Sequence, residues 1–327
     1  MNVIDRYVDY IRTVRRYSDR TVAIYESVLY DFADAVGVTD DDEGLIASFN
    51  VSQIRSYQVS LIDERKMAPK TVALHMSVLS SFCRYLIGKG QLMSNPVALV
   101  PRPKAGKRLP EFYKFESMDD YFAKTAWFAG EEDLDAFIQA LGTKVAQKAY
   151  EARLARLIIS LLYGLGIRRS ELISMTVGSV DFGRKVVKIR GKGDKMREIP
   201  LLPSLSEEIL LYLKAVEALC GRKRSLKEPL IVTYRLVPVY PVYVDRTVKS
   251  QLGNVKGIAG RKSPHVLRHS LATELLNQGS DLNSIKEMLG HSSMATTQIY
   301  THSSIVQLMN IYEQAHPRAK NGGKHGD

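Results

Sequence analysis

The stretch SPHVLRHSLATELLNQGSDLNSIKEMLGHSSMATTQIYTH, residues 263–302, is the most informative run in the chain. Its apolar spacing predicts two helices, over about 265–277 and 281–289, with Gly290–His291 ending the second. Tyr300 follows nine residues after His291. His265 and Arg268 stand at i and i+3, so they share one helix face. His265 and His269 have the i, i+4 spacing of a metal pair, but the zincin pattern needs a glutamate directly after the first histidine, and Val266 stands there. With no cysteine cluster or carboxylate ligand beside them, no metal and no cofactor are expected.

Two shorter stretches add to this. In YGLGIRRSELISM (163–175), Gly164 and Gly166 break one helix, Arg168 follows, and Glu171 opens the next. An arginine beside a helix N-terminus adds its guanidinium fork to free backbone N–H groups, which suits a phosphate oxyanion. A surface arginine after a glycine turn would look the same. The other stretch is a β-hairpin: KVVKIR (185–190), the turn GKGD (191–194), and KMREIPL (195–201). Lys192 sits between two glycines at the tip, where it is either thrust into a ligand or simply solvated.

Taken together, Arg168, Lys192, His265, Arg268, His291 and Tyr300 form a chemically coherent set. Arginines and histidines can surround the non-bridging oxygens of a phosphodiester and neutralise the charge that grows in a five-coordinate transition state. Tyrosine supplies a nucleophile; with a free pKa of ~10 it needs cationic neighbours or a base to attack at neutral pH. Lysine can protonate the departing oxygen, and the same proton movement runs backwards on rejoining.

Around these stretches the pattern is mostly α with a small β-sheet. Further helices are expected at about 117–141, 144–164, 204–219, 245–258 and 303–315. The first hundred residues read as helices, including one capped by Ser18 or Asp19, one over about 51–65, and one from Pro69 to the Gly88–Lys89–Gly90 turn. The run Asp40 to Glu43 reads as an acidic loop. TVAIYESVLYDF (21–32) and TVALHMSVLSSF (71–82) agree at seven of twelve positions. Two amphipathic helices of one bundle would share such core residues; alternatively the pair presents hydroxyls (Thr21, Ser27; Thr71, Ser77) to one ligand, such as a phosphate backbone. After Asn95–Pro96, three prolines and the cations Arg102, Lys104, Lys107 and Arg108 argue against regular structure. This segment reads as a basic linker, giving a division into 1–100, a linker over 101–110, and 111–327.

The net charge of +11 and pI of about 9.4 favour a polyanionic partner, since each Lys or Arg set against a phosphate releases counterions. No apolar run approaches the ~20 residues of a membrane span. The N-terminus lacks the apolar core of a secretory signal, and Cys83 and Cys220 are too few for a metal or disulfide framework. A reducing cytoplasm is the expected compartment.

The segment from about Tyr163 to His302 resembles the tyrosine recombinase (integrase) family, and most of all its bacterial Xer-type site-specific recombinases. The matching stretches are GIRRSEL (166–172), RGKGDKMREIPL (190–201) and residues 263–302, the last nearly uninterrupted. The N-terminal half is similar too, with RYL, GKG and NP preceding the basic strap. The resemblance implies a helical core-binding domain and an α+β catalytic domain closing as a C-shaped clamp on double-stranded DNA. It implies that Arg168, Lys192, His265, Arg268 and His291 activate the scissile phosphate, with Glu171 supporting Arg168. Tyr300 would form a 3′-phosphotyrosyl bond, and exchange would pass through a Holliday junction. The assembly would be a homo- or hetero-tetramer on a recombination site with two half-sites, in the nucleoid and without a membrane.

The tail after Tyr300 resembles the helix that family members dock into a neighbouring protomer, with Ile305, Leu308, Met309 and Tyr312 as its apolar stripe. Chromosome dimer resolution is the Xer role, and a septal DNA translocase is a partner that role admits. The stretch from Trp127 to Tyr150 is longer and more charged than the Xer pattern, and Arg169 replaces an apolar residue beside the first arginine. An integrase or transposase of a mobile element is the main alternative. A type IB topoisomerase would share the phosphate chemistry, and a non-catalytic DNA-binding protein would lack one of the six residues. The absence of an arm-binding domain before the helical half favours the simpler Xer type.

Overall fold

The computed structural model describes residues 1–39, 41–103, 111–125, 130–191 and 194–290. The chain divides into two compact units, Met1–Arg108 and Leu109–Asp327.

The first unit is helical: α1 (Val3–Thr13), α2 (Asp19–Ala35), α3 (Asp42–Ala47), α4 (Val51–Val59) and α5 (Pro69–Gly88). Short polar side chains start four of the five. Asn2, Ser18, Asp41 and Asn50 each accept a backbone N–H of the first turn, satisfying donors that the helix itself cannot. Pro69 opens α5, where its missing N–H costs nothing. Of the expected acidic loop, Asp41 to Glu43 form the cap and first turn of α3, with Asp41 Oδ1 accepting from the Gly44 N–H at 2.9 Å, while Asp40 lies outside the described residues. The expected helix over 51–65 is α4 prolonged by one π-helical turn, Ser60–Glu64. Past it, the Arg65 guanidinium grips Asp31 of α2 at 2.6 and 2.9 Å. Tyr7, Leu29, Phe32, Ile54, Leu61, Met76 and Phe82 fill the core, with Tyr7 edge-on to Phe82. Within the presumed-irregular run after Asn95, Pro96–Leu99 forms one 3₁₀ turn capped by the Asn95 side chain.

The second unit contains α6 (Phe115–Lys124), α7 (Glu131–Gln139), α8 (Lys144–Gly164), α9 (Arg169–Ser174), α10 (Pro203–Cys220), α11 (Pro241–Gly253), α12 (Pro264–Asn277) and α13 (Leu282–Leu289). Its sheet has three antiparallel strands in the order β1 (Val180–Asp181), β2 (Val186–Arg190), β3 (Met196–Pro200). The pattern over 117–141 resolves into two helices, α6 and α7, and residues 126–129 lie outside the described ones. The hairpin expectation lacked β1, a two-residue strand too short to show a period.

Helix α8 is the hub. Leu154, Leu157, Ile158, Leu161 and Leu162 are at most 1% exposed, and every residue from Arg156 to Gly164 is buried. The C-terminal half of α8 is buried on every side, and α10, α11 and α12 pack against the helix. Proline at the first position of α10, α11 and α12 sets each start. Among the described residues no helix is long and apolar enough to cross a membrane.

Candidate active site

The turn after α8, the Gly191 and Arg197 stem of the β2–β3 hairpin, and the last residues of α13 come together. Gly166 makes the first turn possible: at φ +58° it follows α8 in the left-handed region. The chain then reaches Arg168, the N-cap of α9. The Arg168 backbone N–H donates to Glu171 Oε2 at 2.8 Å, and its Nη1 donates to Glu171 Oε1 at 2.8 Å. The terminal Nη2 donates to the carbonyl of Gly290 at 3.0 Å.

Glu171 is 4% exposed and is also held from β3. Arg197 Nη1 donates to Oε1 at 3.0 Å and Nη2 to Oε2 at 2.8 Å, a bidentate fork. Burial alone would raise the Glu171 pKa, but the hydrogen bonds and charge of Arg197, with those of Arg168, hold it down at about 2. Arg197 Nε donates to the carbonyl of Met288 at 2.9 Å.

Arg268, on the buried face of α12, donates from Nη1 to the Gly166 carbonyl at 2.8 Å and from Nη2 to the Leu289 carbonyl. Burial and the nearby Arg168 push its pKa down to about 10, so it stays cationic at neutral pH. Three guanidinium groups thus hold three consecutive carbonyls, Met288, Leu289 and Gly290. These carbonyls end α13, where the helix dipole is negative and its last acceptors have no helical partner. Gly290 caps the helix at φ +67°, and His291 is the next residue.

His265 lies on the exposed side of α12. Partial burial of the ring, with His269, Arg169, Arg261 and Arg268 around it, keeps its pKa below the ordinary imidazole value. Arg169 pairs with Asp245 of α11, which accounts for a cation at a position where an apolar residue was expected. Gly191 closes the β2–β3 stem, donating its N–H to the Lys195 carbonyl at 2.8 Å. A Cβ at Gly191 would stand 3.5 Å from Arg197 Nη1 and 3.9 Å from Glu171 Oε1, so the residue before Lys192 flanks the cluster.

Lys192, His291 and Tyr300 lie outside the described residues, as do Lys104, Lys107, Arg108 and the expected helix over 303–315. In the first unit, Thr71 is exposed in the first turn of α5, and Arg102 is exposed. Ser77 is half-buried and turns its hydroxyl back onto the Ala73 carbonyl at 2.7 Å. Among the described residues no group of three or more His, Cys, Asp or Glu side chains is placed to hold a metal ion.

The sequence reading missed Arg197. The available signal was alternation in KMREIPL: Arg197 lies two residues before Ile199 and so falls on the same strand face, as the pairing of Ile189 with Arg197 and Val187 with Ile199 bears out. A cation at an inward position of a strand needs a buried partner, and Glu171 is that partner.

The family model described as "Phage integrase family" matches residues 129–305, and "Phage integrase, N-terminal SAM-like domain" matches residues 4–90. The chain is 32% identical to tyrosine recombinase XerC of Chlorobaculum parvum, over 97% of this chain and 94% of that protein. It is 30% identical to tyrosine recombinase XerC of Bacillus subtilis, over 97% of each. Its fold is similar to that of the Tn1549 transposon integrase in complex with transposon right end DNA, with a TM-score of 0.63, 20% identity and 95% of each chain covered. A lambda integrase tetramer bound to a Holliday junction gives a TM-score of 0.58 at 21% identity, over 91% of this chain and 79% of that one. The chain therefore belongs to the phage integrase family of tyrosine recombinases and is a Xer-like site-specific recombinase, an enzyme that breaks and rejoins DNA strands.

Proposed function

We propose that Arg168, Lys192, His265, Arg268 and His291 bind and activate a scissile phosphodiester, and that Tyr300 attacks it. The phenolate oxygen bonds to phosphorus, the P–O5′ bond breaks, and Lys192 delivers a proton to the leaving 5′ oxygen. The tyrosine proton passes to a neighbouring base. The product is a 3′-phosphotyrosyl enzyme and a free 5′ hydroxyl, and the reverse attack by a 5′ hydroxyl rejoins the strand. No metal is needed, because guanidinium groups supply the charge that metal ions supply in other phosphoryl-transfer sites.

One observation carries this reading. Arg168 and Arg268 are a hundred positions apart in sequence, yet they hold the adjacent carbonyls of Gly290 and Leu289, directly before His291. Each guanidinium has five N–H donors, so one side chain can serve both anchoring and phosphate contact.

In this account residues 1–100 grip core DNA, with Thr71 and Ser77 towards the backbone. The strap over 101–110 follows the duplex with Arg102, Lys104, Lys107 and Arg108, and residues 111–327 perform the chemistry. Four protomers act on two sites through a Holliday junction, docked by the tail after Tyr300, in the cytoplasm at the nucleoid. The likeness to the XerC proteins supports chromosome dimer resolution as the role, with a septal DNA translocase as a further partner.

The test is a pair of nicked suicide duplexes, one carrying the host's chromosomal dimer-resolution site and one of random sequence. Covalent adducts on the resolution site alone support the housekeeping role. Adducts on both duplexes alike, or on neither, would overturn it.

A further inference from the structure

Arg197 has no part in the chemistry above, yet among the described residues of the site it holds both the Glu171 carboxylate and the end of α13. Its fork takes both oxygens of Glu171, its Nε takes the Met288 carbonyl, and its side chain is 11% exposed. Arg168, sharing the same carboxylate, is 34% exposed. The buried member therefore faces the carboxylate, while the open member keeps a face towards solvent.

The charges decide what this arrangement does. Glu171 carries one negative charge, and two guanidiniums face it. With Arg197 present, the three side chains sum to one positive charge. Without Arg197, Arg168 and Glu171 would neutralise each other, and a buried carboxylate would draw both ends of the Arg168 fork onto itself.

We infer that Arg197 is a positioning residue that satisfies Glu171 and so keeps the charge of Arg168 free for the scissile phosphate. It acts through Glu171 and touches no reacting atom. The inference rests on the proposed phosphate-binding role of Arg168. Lysine could not substitute fully, because one ammonium cannot span both carboxylate oxygens and the Met288 carbonyl at once.

The experiment compares full-length wild type, Arg197→Met, Arg197→Lys and Glu171→Gln/Arg197→Met in single-turnover cleavage. The probe is a nicked suicide duplex that wild type cleaves, with either a normal scissile phosphate or a neutral methylphosphonate. Arg197→Met should cleave the phosphate about a hundredfold more slowly, the size of losing one charge-stabilising donor. Its deficit on the methylphosphonate should be much smaller, since no anion then needs Arg168. The double variant should regain about tenfold, a coupling expected within one ion-pair network.

Equal deficits on the two substrates, or no recovery in the double variant, would make Arg197 a mere scaffold residue and overturn the inference. If Arg197→Met does not fold, the two-substrate comparison passes to Arg197→Gln, which removes the charge but keeps N–H donors for the carboxylate. Arg168→Ala on the same duplexes separates the two levels. Unimpaired cleavage there overturns the phosphate-binding reading itself, whereas impaired cleavage leaves Arg197 to be judged on its own data.

Discussion

Gly166 and Leu289 meet so closely that a Cβ on the glycine would stand 2.6 Å from Leu289 Cδ2, with Leu271 Cδ2 at 2.9 Å. The turn before Arg168 is therefore packed directly against the end of α13, and Arg268 bridges the same two points through the carbonyls of residues 166 and 289.

Gly166→Ala should cost about 2 kcal/mol of stability, from a left-handed backbone angle and an overpacked contact. It should also slow cleavage, because the strained turn carries the Gly166 carbonyl that Arg268 holds and leads directly into Arg168. Denaturant unfolding and single-turnover cleavage check both. An unchanged midpoint would mean that the turn is looser than the packing indicates.

Glu171 gives a pH prediction. Arg197 and Arg168 lower its pKa from the ordinary 4.5 to about 2 in the folded chain, so its contribution is complete above about pH 4.5 and is lost as pH falls towards 2. The stability advantage of wild type over Glu171→Gln should therefore shrink by about 3 kcal/mol across that window. Unfolding curves at several pH values test it, and a constant difference between the two proteins would contradict it.

His265 should titrate below the ordinary imidazole value of about 6.5. A depressed base costs the native state when it must take up a proton, so its effect is to lower stability as pH falls below that value. Arg169→Gln removes one neighbouring cation and should move the midpoint upwards in an NMR titration. A midpoint at or above 6.5 in the wild type would show that the ring is not pressed by these cations.

In the first unit the Tyr57 hydroxyl donates to Asp31 Oδ2 at 2.6 Å and lies 2.8 Å from His75 Nδ1. Tyr57→Phe should cost about 1–3 kcal/mol, because a buried histidine nitrogen loses its partner. Denaturant unfolding measures it, and a change under a few tenths of a kcal/mol would mean that the hydroxyl is replaceable by solvent.

Much of this fold was legible because its signals are local. Pro69 marks a helix start, Ser18 caps α2, and the apolar positions of α8 from Leu154 to Leu162 all lie in the core, whereas the helix expected over 245–258 starts earlier, at Pro241, and ends at Gly253. The acidic run over 40–43 read as a loop because a six-residue helix shows less than two turns of period, although Asp41 followed by Gly44 is a capping arrangement. In the site, the residue pattern pointed to Arg168 and Arg268, and the family resemblance added Glu171. It could not show that Arg197 shares the Glu171 carboxylate, because that contact joins residues 26 positions apart and depends on strand register. Nor could it show three guanidiniums on successive carbonyls, which arises only when α9, β3 and α12 converge on the end of α13.

The central claim is that Tyr300 is the nucleophile served by this cluster. Wild type and Tyr300→Phe should be incubated with a nicked suicide duplex carrying the resolution site, and SDS-resistant protein–DNA adducts counted, with DNA binding measured in parallel. The account predicts adducts from wild type alone, with equal binding by both proteins. A covalent adduct from Tyr300→Phe would place the nucleophile on another residue and contradict it.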